Sequence, residues 1–449
     1  MDIMDKCLIA TAESSCTESL CPECLQRIPA QRVVQGEKVY MVKQCPEHGE
    51  YRTLLWRGNP QWDLWVRPTI PTPPKECFTQ VERGCPFDCG LCEDHYKTTC
   101  TALIEVTQRC NLNCRFCFAN AGTELDEPSL AVIKGWYKNV LAASGPVNIQ
   151  LSGGEPTLRN DLPAILEIGR TLGFNFIQLN TNGLRLAEDL GFVGRLKEAG
   201  LSSVFLQFDG TEDSIYQAIR GRRLFELKAK AIENCAQHGI GVVLVPTLIP
   251  GINTHNIGGI IKFALENLPA VRGVHFQPVS YFGRIPKEPL DQDRITLPEV
   301  IQAIEEQTEG LIKAANLKPH NGRCSFSGNF TRQPDGRLKA IINNSCCAGP
   351  ERADELARKT RTFVARQWSG AEKLTIESPV NNSWDNLIQQ LQTYAFSISG
   401  MAFQDVWNLD IDRLKNCCIH VVSPEGKLIP FCAYNLTDKF GHSIYRRER

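Results

Sequence analysis

The sequence predicts an α/β fold built on a parallel sheet, and three observations predict it. Strand-length apolar runs recur six times between residues 102 and 279, helix-patterned segments lie between them, and from residue 118 to 320 cysteine almost vanishes. Of the 20 cysteines, all but Cys235 fall before residue 118 or after residue 320. The middle of the chain therefore reads as scaffold, with metal chemistry concentrated at its edges.

The six runs are Ala102–Thr107, Val147–Ser152, Asn175–Asn180, Ser203–Asp209, Ile240–Thr247 and Gly273–Val279, each rich in β-branched or aromatic residues. Segments Asp161–Leu172, Leu186–Ala199, Phe225–His238 and Asn256–Leu268 carry apolar residues three or four apart, as helices facing a core do. Asn160 and Asp161 can cap the first, and Gly200 and Gly239 suit the ends of the next two. The strand starts leave room for a right-handed βα unit each time. Six such units make an incomplete (β/α) barrel or a doubly wound sheet, and either places its ligand site at the C-terminal strand ends.

Around this scaffold the chain divides into residues 1–66, a small metal-binding module; 67–101, opened by the proline-rich Arg67–Lys75; 102–289, the barrel; and 290–449, a cysteine-containing α+β region. A net charge of −1, from 49 basic and 50 acidic residues, gives no electrostatic case for nucleic acid. No apolar window is long enough for a transmembrane segment, and no signal peptide is evident at the N-terminus. The expectation is a cytoplasmic protein whose reduced thiols bind metal.

Cys110, Cys114 and Cys117 stand at C-x3-C-x2-C spacing directly after the first strand. Three thiolates on one loop can hold three corners of a [4Fe–4S] cluster and leave the fourth iron without a protein ligand; zinc is the alternative on spacing alone. Ser152-Gly153-Gly154-Glu155-Pro156 ends the second strand, Asn180 and Asn182 close the third, Gln207 and Asp209 the fourth, and Thr247 the fifth, with Asn253 shortly after. Each alone is an ordinary turn residue. Their recurrence at successive strand ends argues for a site.

Cys85, Cys89 and Cys92 repeat the triplet spacing with no strand before them; Cys100, or alternatively Cys77, completes a four-thiolate auxiliary cluster or a zinc site. Cys21-x2-Cys24 and Cys45-x2-His48 form two matched knuckles that suit one tetrahedral ion, zinc or rubredoxin-like iron. Of the six C-terminal cysteines, Cys324, Cys347, Cys417 and Cys432 are expected to hold a further cluster, one from each vicinal pair because neighbours in extended chain point to opposite sides.

The C-x3-C-x-aromatic-C loop, with Phe116 as the aromatic, followed one strand later by SGGEP, resembles the radical S-adenosylmethionine (SAM) superfamily. Landmarks along nearly the whole chain, from CPEC and CPEHGEYRTLLWRG to CCIHVVSPEGKLIPFCAYN, resemble the group containing the tetraether lipid synthase and the dihydropterin methyltransferase. The resemblance implies that the unliganded iron chelates SAM, whose reductive cleavage gives a 5′-deoxyadenosyl radical. It implies that Phe116, the SGGEP residues and the other strand-end residues contact SAM or substrate, with Gly153 and Gly154 letting the backbone approach the ligand. One or two auxiliary [4Fe–4S] clusters, a low-potential flavodoxin- or ferredoxin-type donor, and C–C bond formation on a small-molecule or lipid substrate follow. This chain has Gly400-Met401-Ala402 where many members carry Cys-Met-His, so its C-terminal ligand set is expected to differ.

Overall fold

A computed structural model describes residues 14–122, 127–320, 322–333, 335–341, 350–370 and 393–446. Its first unit is a four-stranded antiparallel meander of Ser14–Leu20, Arg27–Gln35, Lys38–Cys45 and Gly49–Arg57. The ribbon docks through buried polar contacts with the C-terminal region. Arg32 forks onto Asp410 at 2.7 and 2.8 Å, and the Lys43 ammonium donates to the carbonyls of Leu20 (2.7 Å) and Val406 (2.6 Å). Burial lowers Lys43 to about 7, so those carbonyls are what make its position tolerable.

All six expected strands form, as Thr101–Thr107, Asn148–Gly153, Ile177–Thr181, Ser203–Gln207, Gly241–Val245 and Val271–Pro278, and neighbours pair in parallel. Helices Leu162–Thr171, Phe225–Gln237 and Ile257–Glu266 follow the apolar pattern, and Leu130–Ser144 and Asp213–Arg220 join them. Two local expectations change. The helix expected over Leu186–Ala199 is two, Leu184–Glu188 and Leu190–Glu198, because the Asp189 carboxylate caps the second at the Phe192 amide (2.8 Å). Asp161 sits at an N-cap, but Arg159 holds its carboxylate at 2.8 and 2.6 Å, and it makes no side-chain cap.

The C-terminal region, expected to follow the barrel as an α+β unit, enters the barrel's own sheet. Ala395–Met401 pairs in parallel with the sixth strand, and Ile419–Val422 pairs in parallel with the first. Ser325–Arg332 and Leu428–Pro430 then add antiparallel strands beyond them. An open parallel arc leaves unpaired backbone at both edges, and these strands satisfy it. Ala395–Met401 and Ile419–Val422 do not pair with each other among the described residues, so the arc stays open.

Helix Ala353–Trp368 closes the N-terminal end of the arc. The Trp368 ring packs 5.5 Å from Phe205 and donates its Nε1 hydrogen to Ser397 Oγ at 3.0 Å, while Arg272 Nε holds the Gln367 carbonyl at 3.1 Å. Chemistry is left to the opposite, C-terminal ends. Among the described residues no helix is long and apolar enough to cross a membrane.

Candidate active site and metal centres

The first strand runs into the loop that carries Cys110, Cys114 and Cys117, and the backbone closes that loop at its base. The Cys110 amide donates to the Gly122 carbonyl (2.9 Å), and Gly122 returns a bond to Gln108 (3.1 Å). Cys117 and Arg284 exchange two backbone bonds of 3.1 and 3.0 Å. The Arg284 guanidinium then donates to the Cys114 carbonyl (3.1 Å) and Asn120 Oδ1 (3.4 Å), and also to Asn113 Oδ1 and the Ala121 carbonyl. One planar fork thereby fixes the loop that presents the thiols. Cys110 and Cys114 lie half-buried against Leu112, Leu184, Tyr216 and Leu224, and burial pushes the Cys110 thiol up to about 12. Phe116 meets Tyr281 edge-on, with centroids 6.2 Å apart.

The two glycines of SGGEP owe their place to this loop. A Cβ at Gly153 would collide with the Thr107 carbonyl, and one at Gly154 with the Arg109 carbonyl. The amides of Gly154 and Glu155 donate to those same carbonyls at 2.8 and 2.7 Å. Close backbone approach is therefore required, as the sequence implied, and the backbone that approaches is the cysteine loop. Pro156 opens a single 3₁₀ turn, and Ser152 is buried in the strand.

Glu155 is 1% exposed, and its carboxylate accepts from the Thr157 amide (3.1 Å) and hydroxyl (2.6 Å), Thr181 Oγ1 (2.7 Å) and the Asn182 amide (2.7 Å). With four donors it is a strut between the second and third strand ends. Asn182 continues that tie by donating to Asn111 Oδ1 in the cysteine loop at 2.7 Å. Asn180 donates to Gln150 at 3.4 Å, and its own Oδ1 is buried without a hydrogen-bond partner.

At the fourth and fifth strand ends, Asp209 forms a buried two-point pair with Arg220 at 2.7 and 2.9 Å. Gln207 donates to Asp209 and accepts from the Lys228 ammonium at 3.0 Å. Burial lowers Lys228 to about 8, countered chiefly by the charge of Asp209. The Thr247 amide reaches Asp209 at 3.3 Å, and Asn253 clips the backbone of Asp209, Thr247 and Ile249 at 2.9, 2.8 and 2.8 Å. Arg220, Lys228, Arg284 and Asn111 were not among the expected site residues; their partners are distant in sequence, and no local spacing marks them.

In the ribbon, the donor atoms of Cys21, Cys24, Cys45 and His48 all lie within 4.8 Å of one another. Cys24 Sγ is 3.9 Å from Cys45 Sγ, and His48 Nδ1 lies 3.6 Å from Cys21 Sγ and 3.4 Å from Cys45 Sγ. Metal–sulfur bonds of about 2.3 Å and metal–nitrogen bonds of about 2.0 Å give tetrahedral edges of about 3.8 and 3.5 Å. The expected set is therefore assembled, with Nδ1 as the histidine donor. Glu23 stands 4.0 Å from His48 Nε2 and is itself held by Tyr51 (2.8 Å) and Lys439 (2.7 Å), as outer-sphere partners of metal ligands commonly are.

Most of the remaining described cysteines fall into two groups. Cys85 and Cys89 are buried in one apolar cluster, and the hydrogen bond with the Cys85 thiol, with burial and the nearby Cys85 and Cys92 thiols, pushes the Cys89 thiol up. Cys100, expected with them, lies against Cys418: its Sγ is 2.9 Å from Cys418 Sγ, and its amide donates to the Cys418 carbonyl at 2.8 Å. The cause is the pairing of Ile419–Val422 with the first barrel strand, which brings the residues preceding both strands side by side. Cys324, Cys417 and Cys432 line one pocket with Met401, Ala402 and Arg413. Cys347 lies outside the described residues, and Cys77 is exposed.

Comparison with known proteins agrees with this layout. Residues 104–264 match the radical SAM superfamily model, and residues 14–57 match the HMPTM N-terminal zinc ribbon domain. The chain is 37% identical to the 7,8-dihydro-6-hydroxymethylpterin dimethyltransferase of Methanocaldococcus jannaschii across 93% of both chains. It is 30% identical to the mitochondrial GTP 3′,8-cyclase of Arabidopsis thaliana over 39% of this chain and 45% of that one. The crystal structure of Streptococcus suis SuiB covers 48% of this chain and 46% of its own at 16% identity, with a TM-score of 0.38. A barrel whose first-strand loop carries three thiols, behind a ribbon with a complete tetrahedral donor set, thus belongs to a radical SAM enzyme of the 7,8-dihydro-6-hydroxymethylpterin dimethyltransferase family.

Proposed function

We propose that this radical SAM enzyme forms a C–C bond at an unactivated carbon, by methylation of a pterin-like small molecule. The observation that carries the reading is the whole-chain similarity to the pterin dimethyltransferase, which spans ribbon, barrel and C-terminal region together. Alkyl coupling on a lipid-like substrate is the second reading, from the resemblance of the same landmarks to the tetraether lipid synthase.

The residues at the barrel mouth fit a [4Fe–4S] cluster with SAM. Three thiols occupy one braced loop, the backbone of residues 153–155 lies against it, and the orphaned Asn180 oxygen awaits a donor. Cys110, Cys114 and Cys117 would hold the cluster, and SAM would bind beside it. Bound there, the pair would supply radical chemistry. The protein's part is positional. Arg284 and Glu155 fix the loop against the second and third strands, and Asn180, Gln207 and Thr247 supply polar atoms where SAM's ribose and amino-acid moiety would lie. The Asp209–Arg220 pair buttresses that floor, and Trp368 closes the far end to water.

Cys85, Cys89 and Cys92 form one auxiliary [4Fe–4S] centre in this reading, and Cys324, Cys417 and Cys432, beside the Cys100–Cys418 pair, form a second. The ribbon holds zinc or iron as a structural ion. A flavodoxin- or ferredoxin-type protein delivers the electron.

The test is anaerobic reconstitution with SAM, a strong reductant and methylenetetrahydrofolate as the source of the methyl carbon, offering 7,8-dihydro-6-hydroxymethylpterin and an isoprenoid lipid in separate reactions. Methylated pterin with 5′-deoxyadenosine is expected. Coupled lipid without pterin product would select the second reading, and turnover of neither would reject both.

A further inference from the structure

The segment 437–446 touches the ribbon knuckle, the Cys85–Cys89 turn and the first barrel strand. The Lys439 amide donates to the Pro22 carbonyl in the first knuckle at 2.8 Å, and its ammonium pairs with Glu23 at 2.7 Å. Six residues on, Tyr445 Oη accepts the Cys89 amide at 2.8 Å and donates to the Pro86 carbonyl at 2.5 Å. Those are the two groups that a tight turn over Pro86–Cys89 would join directly. The phenol is inserted between them and sets how far the turn opens, and hence where the Cys89 thiol stands.

The adjacent residue turns the other way. Arg446 forks onto Glu105 of the first barrel strand at 3.0 and 2.6 Å and holds Asn435 Oδ1 at 3.1 and 2.6 Å. Glu105 is 7% exposed, and Gln108, just before Cys110, donates to it at 2.8 Å. Consecutive α-carbons are about 3.8 Å apart. One dipeptide therefore spans from the Cys89 turn to the strand that carries the Cys110 loop.

We propose that Tyr445 and Arg446 are positioning residues that fix the Cys85–Cys89–Cys92 centre in register with the barrel cluster, Tyr445 by propping open the Cys89 turn and Arg446 by anchoring to Glu105. This rests on the reading of that triplet as an auxiliary iron–sulfur centre. Tyr445 then sets the environment of one auxiliary ligand, and Arg446 sets the separation of the two centres.

The test uses the full chain, reconstituted anaerobically, as wild type, Cys89→Ala, Tyr445→Phe, Arg446→Lys and Arg446→Met. Iron and sulfide are counted, each reduced cluster is followed by EPR during a redox titration, and SAM binding is measured separately. Cys89→Ala identifies the auxiliary signal by its loss. Tyr445→Phe is expected to shift the midpoint potential and line shape of that signal alone, with the barrel cluster and SAM binding retained. Arg446→Met is expected to change the magnetic broadening between the two reduced centres, and Arg446→Lys to restore it in part. Unchanged auxiliary spectra in Tyr445→Phe, at equal iron loading and thermal stability, would overturn the proposal. Loss of both signals together would assign Tyr445 to general folding and overturn it as well. If Cys89→Ala removes no iron, the auxiliary-centre reading itself falls and takes the inference with it.

Discussion

The ribbon and the barrel mouth both gather thiols on short loops, and they differ in what surrounds the donors. In the ribbon four donors face one point, and the glutamate 4.0 Å from the histidine's second nitrogen is itself held by Tyr51 and Lys439. At the barrel mouth three thiols share one loop, and the end of the third strand carries the unpaired Asn180 oxygen. A closed donor set holds an ion for folding, whereas an incomplete one leaves a coordination position for chemistry. In the proposed function the same residue type therefore carries opposite roles, decided by the count of donors and by the rigidity of the frame around them.

Substitutions that strike one region and spare the other break this comparison most sharply. Cys114→Ala should reduce 5′-deoxyadenosine formation to background, while the ribbon's metal equivalent stays, as elemental analysis would show. Cys45→Ser should do the reverse, losing the ribbon ion and loosening the contact through Arg32 and Lys43, with the barrel cluster's spectrum retained. Glu155→Gln leaves the steric strut and removes its charge. With four donors facing the carboxylate, it should cost about 3 kcal/mol in denaturant unfolding and weaken SAM binding. Arg284→Lys keeps the charge but cannot reach four acceptors as a planar fork, so iron retention should fall several-fold without loss of fold.

The smallest effect sharpens the contrast between scaffold and sites. His275 is buried beside Phe205, and desolvation lowers it to about 4. Its folded pKa lies below the unfolded value of about 6.5, so the folded state favours the neutral ring. Its contribution is complete above pH 6.5 and is lost as pH falls from there towards 4. One pH unit into that window the loss is about 1.4 kcal/mol, and His275→Gln should flatten that part of the acid limb of a stability profile.

The parts that were legible in the sequence are those whose signal is local. Parallel strands show as β-branched runs such as Gly241–Val245, the barrel triplet shows in eight consecutive residues, and the ribbon shows as two knuckles about one hairpin apart. The illegible parts depend on pairing across long separations. Nothing near residue 100 announces that Cys418, 318 residues away, becomes its neighbour; that follows from which strand fills the open edge of the arc. Arg284 and Arg220 read as ordinary charged residues because their partners, Cys114 and Asp209, meet them only when the loops fold back over the strand ends. Glycine at positions 153 and 154 was legible as a requirement for close approach, but what approaches is the chain's own loop.

In the proposed function the barrel triplet, and no other cysteine set, opens an iron to SAM. The direct measurement is 5′-deoxyadenosine formed per chain in a single anaerobic turnover by the reconstituted wild type, Cys114→Ala and Cys89→Ala. Product is expected from the wild type, none from Cys114→Ala, and SAM binding, measured alongside, is retained in Cys89→Ala. Product from Cys114→Ala, or equal loss of SAM binding in both variants, would contradict this reading.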